Sequence, residues 1–390
     1  MAVSWRTSQR ERAYLAELVD SGFPDGSCFA DFVGRLEQAF AEKFGSHFAI
    51  SFTNGTATLH AALVAAGVKE GDEVIVPPLT MASTSLAALH AGAIPIFADI
   101  DPRTFNIDPA SIAEHISPRT KAIIPVALYG LPPDMDAIMA IARQHDIAVI
   151  EDTAQCFLGR YKGRIAGTIG DAGSFSFQAT KHMTCGEGGM LITDDPELAD
   201  RIARFASLGY GLVTARPGKS KIARREIVQP SFKRHVSLGF NYRLSELCAA
   251  FALAQLERLE EFVALRQQAA AAFSEVTRQC DWLAPQWVPD DCVHSYWAYA
   301  LKLDPARGIT WQQFFDRFVE LGGEWFYGAW ALTYTEPYFQ EAFGGRFPIG
   351  ICPMAERIQP HLIQLKTNYG DRATIEKQSE CLAKTIRYFG

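Results

Sequence analysis

The chain has 390 residues, of which 48% are hydrophobic and 21% charged, and a formal net charge of −7. This balance excludes a disordered polymer and gives enough chain for two hydrophobic cores. The negative charge argues against a general nucleic-acid binder, and no apolar stretch is long enough to span a membrane.

The opening segment, MAVSWRTSQRERAYLAELV, lacks the apolar core of a signal peptide and leads into an amphipathic helix, so a cytoplasmic location is expected. Asn54–Gly55 marks a turn, and an Ala-rich helical pattern follows over 56–67. EVIVP reads as a strand, and SLAALHAG as a helix stopped at Gly92. IPIFADI, KAIIPVAL and IAVIED are strand-like, with MDAIMAIARQH as a helix between the last two; GSFSF and GMLITDD continue the strands. Such alternation predicts an α/β fold with a mostly parallel sheet flanked by helices, and ligands gather at the carboxyl ends of such strands.

Residues 208–236 read as a long polar loop carrying Arg216, Lys219, Lys221, Arg224, Arg225, Lys233 and Arg234. It is either a solvated excursion or a flap whose cations meet an anionic substrate. A long helix from about Ser245 to Ala272 then links a large domain, 1–255, to a smaller C-terminal α+β domain, 256–390. The latter takes WAYALKL as a strand, WQQFFDRFVELG as a helix and a last helix at 372–388. The eight cysteines are scattered, with no C-x-x-C pair and no zinc spacing; reduced thiols and no metal site are expected.

The chemistry concentrates between Glu151 and Gly189. An apolar run ends in Asp152; Ser176 lies in SFSF; Lys181 follows, and then a glycine-rich tail. Pyridoxal phosphate needs this set: a lysine amine that condenses with its aldehyde, a carboxylate that keeps its ring nitrogen protonated, and hydroxyl and N–H donors around its phosphate. Each part alone has a plainer reading. Asp152 would be a polar strand end, Lys181 a solvated lysine, Ser176 an alternating strand residue and Gly186–Gly189 a turn. Their order and spacing decide for the cofactor.

Further motifs accompany them: NGTATLHAAL at 54–63, GDEVIVPPLT at 71–80, GAIPIFADIDPRTFNID at 92–108, VALYGLPPDMDAI at 126–138, EDTAQ at 151–155, FSFQATKHMTCGEGG at 175–189 and LGFNYRLSELCAAFALAQLERL at 238–259. In these the chain resembles the DegT/DnrJ/EryC1/StrS family of pyridoxal phosphate-dependent sugar aminotransferases, of fold type I and built like aspartate aminotransferase. The resemblance implies that Lys181 binds the cofactor covalently and shuttles the proton, and that Asp152 pairs with the pyridine nitrogen. By the same resemblance Gln155 lies near the phenolic oxygen, while Thr56, Ala57 and Ser176 hold the phosphate. Asn241 reaches the phosphate from the neighbouring subunit of a homodimer, and Arg243 and His182 meet substrate. Met81 stands where many relatives stack an aromatic ring on the cofactor. The implied reaction takes an amino group from glutamate or glutamine, through pyridoxamine phosphate, to a nucleotide-linked or acidic keto sugar.

Two alternatives stand beside it: a sugar dehydratase on the same scaffold, and a regulatory relative without catalysis. A dehydratase offshoot of the family replaces the lysine by histidine, whereas here Lys181 is present and His182 follows it. The segment CPMAERIQPHLIQLKTNYGD departs from many relatives and leaves the sugar open, with Arg357, His361 and Lys366 as candidate contacts or as solvated surface.

Overall fold

In the computed structural model, which describes residues 5–22, 31–215 and 228–390, the alternation becomes a seven-stranded sheet. Its strands are β1 (Phe48–Phe52), β2 (Glu73–Val76), β3 (Ile94–Phe97), β4 (Thr120–Ile123), β5 (Ala148–Asp152), β8 (Ala172–Ser176) and β9 (Gly189–Thr193); β6 (Arg160–Tyr161) and β7 (Arg164–Ile165) form a small hairpin outside it. The order is β1-β9-β8-β5-β4-β2-β3. Pairings from β3 to β8 are parallel, and β9 runs antiparallel between β8 and β1. β1 and β8 therefore point the same way, and the carboxyl ends of β1, β2, β5 and β8 lie on one rim. Three of these strands, β2, β8 and β9, are buried along their whole length, as a sheet covered on both faces requires.

One face of the sheet is closed by aromatics. Phe40 and Phe44 stack at 4.2 Å on the helix Phe32–Phe44, and Phe175 packs edge-on against both at 5.1 and 4.8 Å. Phe175 and Phe177 point into this cluster, so strand alternation turns Ser176 to the opposite side. The SFSF pattern thus anchors the strand and presents its hydroxyl. Truncating one of these rings to alanine would cost about 3–5 kcal/mol.

The C-terminal region contains an antiparallel sheet of β10 (Leu283–Pro285), β12 (Ala298–Leu303), β14 (Leu362–Lys366) and β13 (Tyr327–Gly328), in that spatial order. β11 (Cys292–Val293) joins the β6–β7 hairpin instead. The helices Trp311–Glu320 and Arg372–Phe389 agree with the sequence reading. Leu332, Tyr334, Phe339 and Phe347 return to pack with Phe97 and other core residues of the large sheet.

The single linking helix expected from Ser245 to Ala272 is instead two, Glu246–Leu256 and Leu259–Thr277, separated at Glu257–Arg258. The N-terminal segment docks at this break. Tyr14 donates its hydroxyl to Glu257 at 2.6 Å, and Arg258 donates to the Trp5 carbonyl at 3.2 Å. The helical periodicity runs through LERLEEF without interruption, so only these distant partners mark the joint. No described helix is long and apolar enough to cross a membrane.

Candidate functional site

The last two residues of β5 face opposite ways, as a strand dictates. Glu151 accepts the backbone N–H groups of Gly167, Ile169 and Gly170 at 2.8, 2.6 and 2.7 Å and so ties down the loop before β8. Asp152 turns to the rim, where its carboxylate accepts the Thr84 hydroxyl at 2.9 Å and the Ala154 N–H at 3.2 Å. Burial pushes the Asp152 carboxyl up, while Ala154, Thr84 and the charge of Lys181 hold it down. Thr84 was not singled out in the sequence, where it is one of several hydroxyls in LTMASTS. It bonds the charged form of Asp152, so Thr84→Val will raise the carboxyl pKa further. The acid limb of kcat/KM against pH will then move up by roughly one unit, as expected for losing a hydrogen bond to a carboxylate. An unmoved limb would separate Thr84 from the working carboxylate.

Beside Asp152 the chain closes on a helix start. Gly189 pairs with both Ser176 and Phe52, which draws the end of β8 against the turn that follows β1. A Cβ at Gly189 would meet the Asn54 carbonyl at 2.8 Å, and one at Gly55 would meet the Ser176 Cβ at 2.8 Å, so both positions require glycine. Asn54 caps the helix Gly55–Ala65 by accepting the Ala57 N–H at 2.8 Å. Thr56, half-buried, follows Gly55 at the head of this helix, and Gly55 is the residue that lies against Ser176. N–H groups at a helix start together with a serine hydroxyl make a place for an anion. The Ala57 N–H already has Asn54 as its partner.

Lys181 lies in the bent segment between β8 and β9, half-buried, with its Nζ 5.1 Å from the centre of the Trp297 ring. Burial lowers its amine to about 8; Asp152 and Glu187 oppose this, and Arg266 adds to it. A substantial neutral fraction is therefore present just above neutral pH, as a nucleophile or base needs. The peptide groups around it are held by guanidinium groups. Arg6 donates to the carbonyls of Ala179, Lys181 and His182 at 2.7, 2.6 and 3.2 Å. Arg266 donates to those of Thr180 and Lys181 at 3.1 and 3.3 Å. Neither arginine was found from the sequence, because their partners lie far away along the chain.

The remaining expected residues fall into two groups. Gln155 is buried, and its side-chain oxygen accepts the Tyr129 N–H at 2.7 Å, which leaves its amide N–H groups to offer. Met81 is 53% exposed, just before the helix Ser83–His90, so it is not core filler. His182 is placed differently from its expected substrate contact. Its ring is 1% exposed, packs against Phe157 and bonds the Ser295 carbonyl at 2.9 Å. Burial holds it well below its ordinary pKa, hence neutral. It ties the Lys181 segment to the chain entering the small sheet. Asn241 and Arg243 are exposed on a stretch fixed by the Ser207–Asn241 bridge and by the Thr53 N–H on the Tyr242 carbonyl at 2.8 Å. Of the loop cations, Arg216, Lys219, Lys221, Arg224 and Arg225 lie outside the described residues; Lys233 and Arg234 are exposed. Lys366 pairs with Glu324 at 3.4 Å and lies over Trp325.

The rim thus brings together an amine of lowered pKa, a buried carboxylate and a helix start. Comparison with known proteins gives this set a setting. The profile of the DegT/DnrJ/EryC1/StrS aminotransferase family matches residues 7–373. Spore coat polysaccharide biosynthesis protein SpsC of Bacillus subtilis is 40% identical over 318 residues, which cover 80% of this chain and 79% of that one. GDP-perosamine synthase of Caulobacter vibrioides is 37% identical over 321 residues, covering 82% and 81%. The crystal structure of the aminotransferase from Psychrobacter cryohalolentis superposes with a TM-score of 0.88 at 27% identity, over 98% of each chain.

Proposed function

This chain belongs to the DegT/DnrJ/EryC1/StrS aminotransferase family and is a pyridoxal phosphate-dependent sugar aminotransferase, and from that premise we propose that it moves an amino group from glutamate or glutamine to an anionic keto sugar, with Lys181 at the reacting atoms. The observation that carries the assignment is the amine of Lys181, lowered to about 8 and coupled to the buried carboxylate of Asp152.

The residues fit the cofactor. Its ring nitrogen requires a carboxylate, its aldehyde an amine and its phosphate a set of N–H and hydroxyl donors; Asp152, Lys181 and the junction of Ser176 with the helix start at Thr56 are of those kinds, while the Ala57 N–H is taken by Asn54. When bound, the cofactor supplies the electron-withdrawing ring and the carbonyl through which nitrogen passes between donor and acceptor. Asp152, oriented by Thr84, holds a proton at the ring nitrogen. Lys181 Nζ is the amine that would hold the cofactor, and it is the base placed to move a proton at the reacting carbons. Ser176 and the helix start hold the phosphate. The free amide group of Gln155 donates toward the phenolic oxygen, and Met81 offers its thioether to the ring.

The anionic acceptor, whether its charge comes from a nucleotide diphosphate or from a carboxylate on the sugar, is supported by the exposed Arg243 and by the basic loop. Incubation of the purified protein with keto sugars of each class and each donor, with detection of the amino sugar by mass spectrometry, tests this. Amination of neutral keto sugars alone would overturn it. We place the enzyme in the cytoplasm, as its small-molecule chemistry suits.

Asn241 and Arg243 complete the site across a two-fold homodimer. The surface around them supports this: Val236, Leu238, Phe240 and Leu247 are exposed on the same stretch, a grouping that a monomer would not leave in water. Mixing Lys181→Ala subunits with subunits carrying both Asn241→Ala and Arg243→Ala will restore activity. Half the random dimers are mixed and each has one intact site, so recovery will reach about a quarter of wild type. No recovery after confirmed subunit exchange would show that the sites are not shared.

A further inference from the structure

We propose that Arg266 is the positioning residue for Lys181: its buried guanidinium fixes the peptide groups on either side of the reacting lysine and sets a positive charge beside its amine. The proposal rests on the assignment of Lys181 above.

Arg266 projects from the helix Leu259–Thr277 and is 2% exposed. Its Nη2 donates to the carbonyls of Thr180 and Lys181. Its Nη1 donates to the Trp297 carbonyl at 2.8 Å and to the Thr367 hydroxyl at 3.1 Å. Thr367 in turn donates to the Tyr296 carbonyl at 2.6 Å, and the Trp297 indole N–H returns to the Thr180 carbonyl at 3.0 Å. One guanidinium thereby fixes the lysine segment, the start of β12 and the indole that lies over Lys181. The planar fork reaches these separate acceptors at once, which an ammonium cannot do.

Among the described residues no carboxylate compensates this charge; besides burial, the group that perturbs Arg266 is another cation, Arg6. A buried cation without a counter-ion is unfavourable, and a methionine or leucine would fill the space at less expense. Such a group beside reactive side chains points to chemistry. The amine of Lys181 is faced by Asp152 and Glu187, which favour its protonated form, and by Arg266, which disfavours it. His182, next in the chain, is neutral, and Arg6 holds the outer carbonyls. Arg266 is thus the cation that offsets the two acids.

The test measures Lys181 directly, apart from turnover. The full-length protein, freed of cofactor, is acetylated with acetic anhydride at a series of pH values, and modification of Lys181 is read by peptide mass spectrometry. Arg266→Met will move the midpoint upward by roughly one pH unit, since it removes a nearby like charge. Arg266→Lys keeps the charge and loses the fork: its midpoint will stay near wild type while kcat falls at least about tenfold at little-changed KM, the mark of lost positioning. Should Arg266→Met fail to fold, Arg266→Gln, which retains donors without charge, must show the upward shift. Midpoints and kcat unchanged in every folded variant, with only the unfolding temperature lowered, would make Arg266 a structural staple and overturn the proposal.

Discussion

Lys181→Ala will abolish amino transfer while leaving the fold intact. The expected loss in kcat is on the order of 10⁴-fold or more, because one substitution removes both the covalent attachment and the proton carrier. The fold survives because the structural role of this segment belongs to its main chain. The carbonyls from Ala179 to His182 accept bonds from Arg6 and Arg266, and an alanine keeps them all. The side chain gives up a contact over the Trp297 ring. Circular dichroism and the unfolding temperature will match wild type, and single-turnover assays with keto sugar and donor will show no product. Full turnover by the purified variant would remove Lys181 from the chemistry.

Asp152→Asn will lower turnover by about 10²–10³-fold, or about 3–4 kcal/mol in the barrier. The amide occupies the same space; its one oxygen can keep the Ala154 N–H while its NH2 donates to the Thr84 hydroxyl, so the shape of the site is kept and the charge is lost. A neutral amide cannot hold a proton on a pyridine nitrogen, and the ring becomes a weaker electron sink. The effect on stability runs the other way. Burial raises the Asp152 carboxyl in the folded protein, so folding disfavours its charged form, and the amide will leave the unfolding temperature equal or higher. Lys181 loses an acid that supported its protonated form, so its amine pKa will fall. The rate is compared at saturating cofactor; a change of less than about tenfold, or about 1.4 kcal/mol, would show that Asp152 is not the ring partner.

Most of the large sheet was legible because its strands are short, apolar and separated by helical stretches of their own period. FAISF, now β1, and the helix Phe32–Phe44 were not picked out. The first is only five residues long, too short for its period to stand out although the Asn54–Gly55 turn follows it, and the second carries its apolar face among charged residues. The break at Glu257–Arg258 left no mark in the local pattern, since its cause is the docking of Trp5 and Tyr14 from the other end of the chain. The same distinction divides the site. Asp152, Ser176 and Lys181 stand out because motif spacing along one segment carries them. Thr84 and Arg266 matter only through what they touch: Thr84 a carboxylate on a neighbouring strand, Arg266 carbonyls on a remote loop. His182, adjacent in sequence to the reacting lysine, turns out to face the seam with Ser295. Neighbourhood along the chain sets distance but not direction.

The most direct measurement of the central claim is chemical. The purified protein, saturated with pyridoxal phosphate, is reduced with borohydride, which fixes the cofactor to whichever amine holds it, and is then digested and mapped by mass spectrometry. The account predicts a single labelled peptide, with the pyridoxyl phosphate mass on Lys181 and none in Lys181→Ala. Labelling at another lysine in the wild-type protein, or no specific labelling at all, would contradict it.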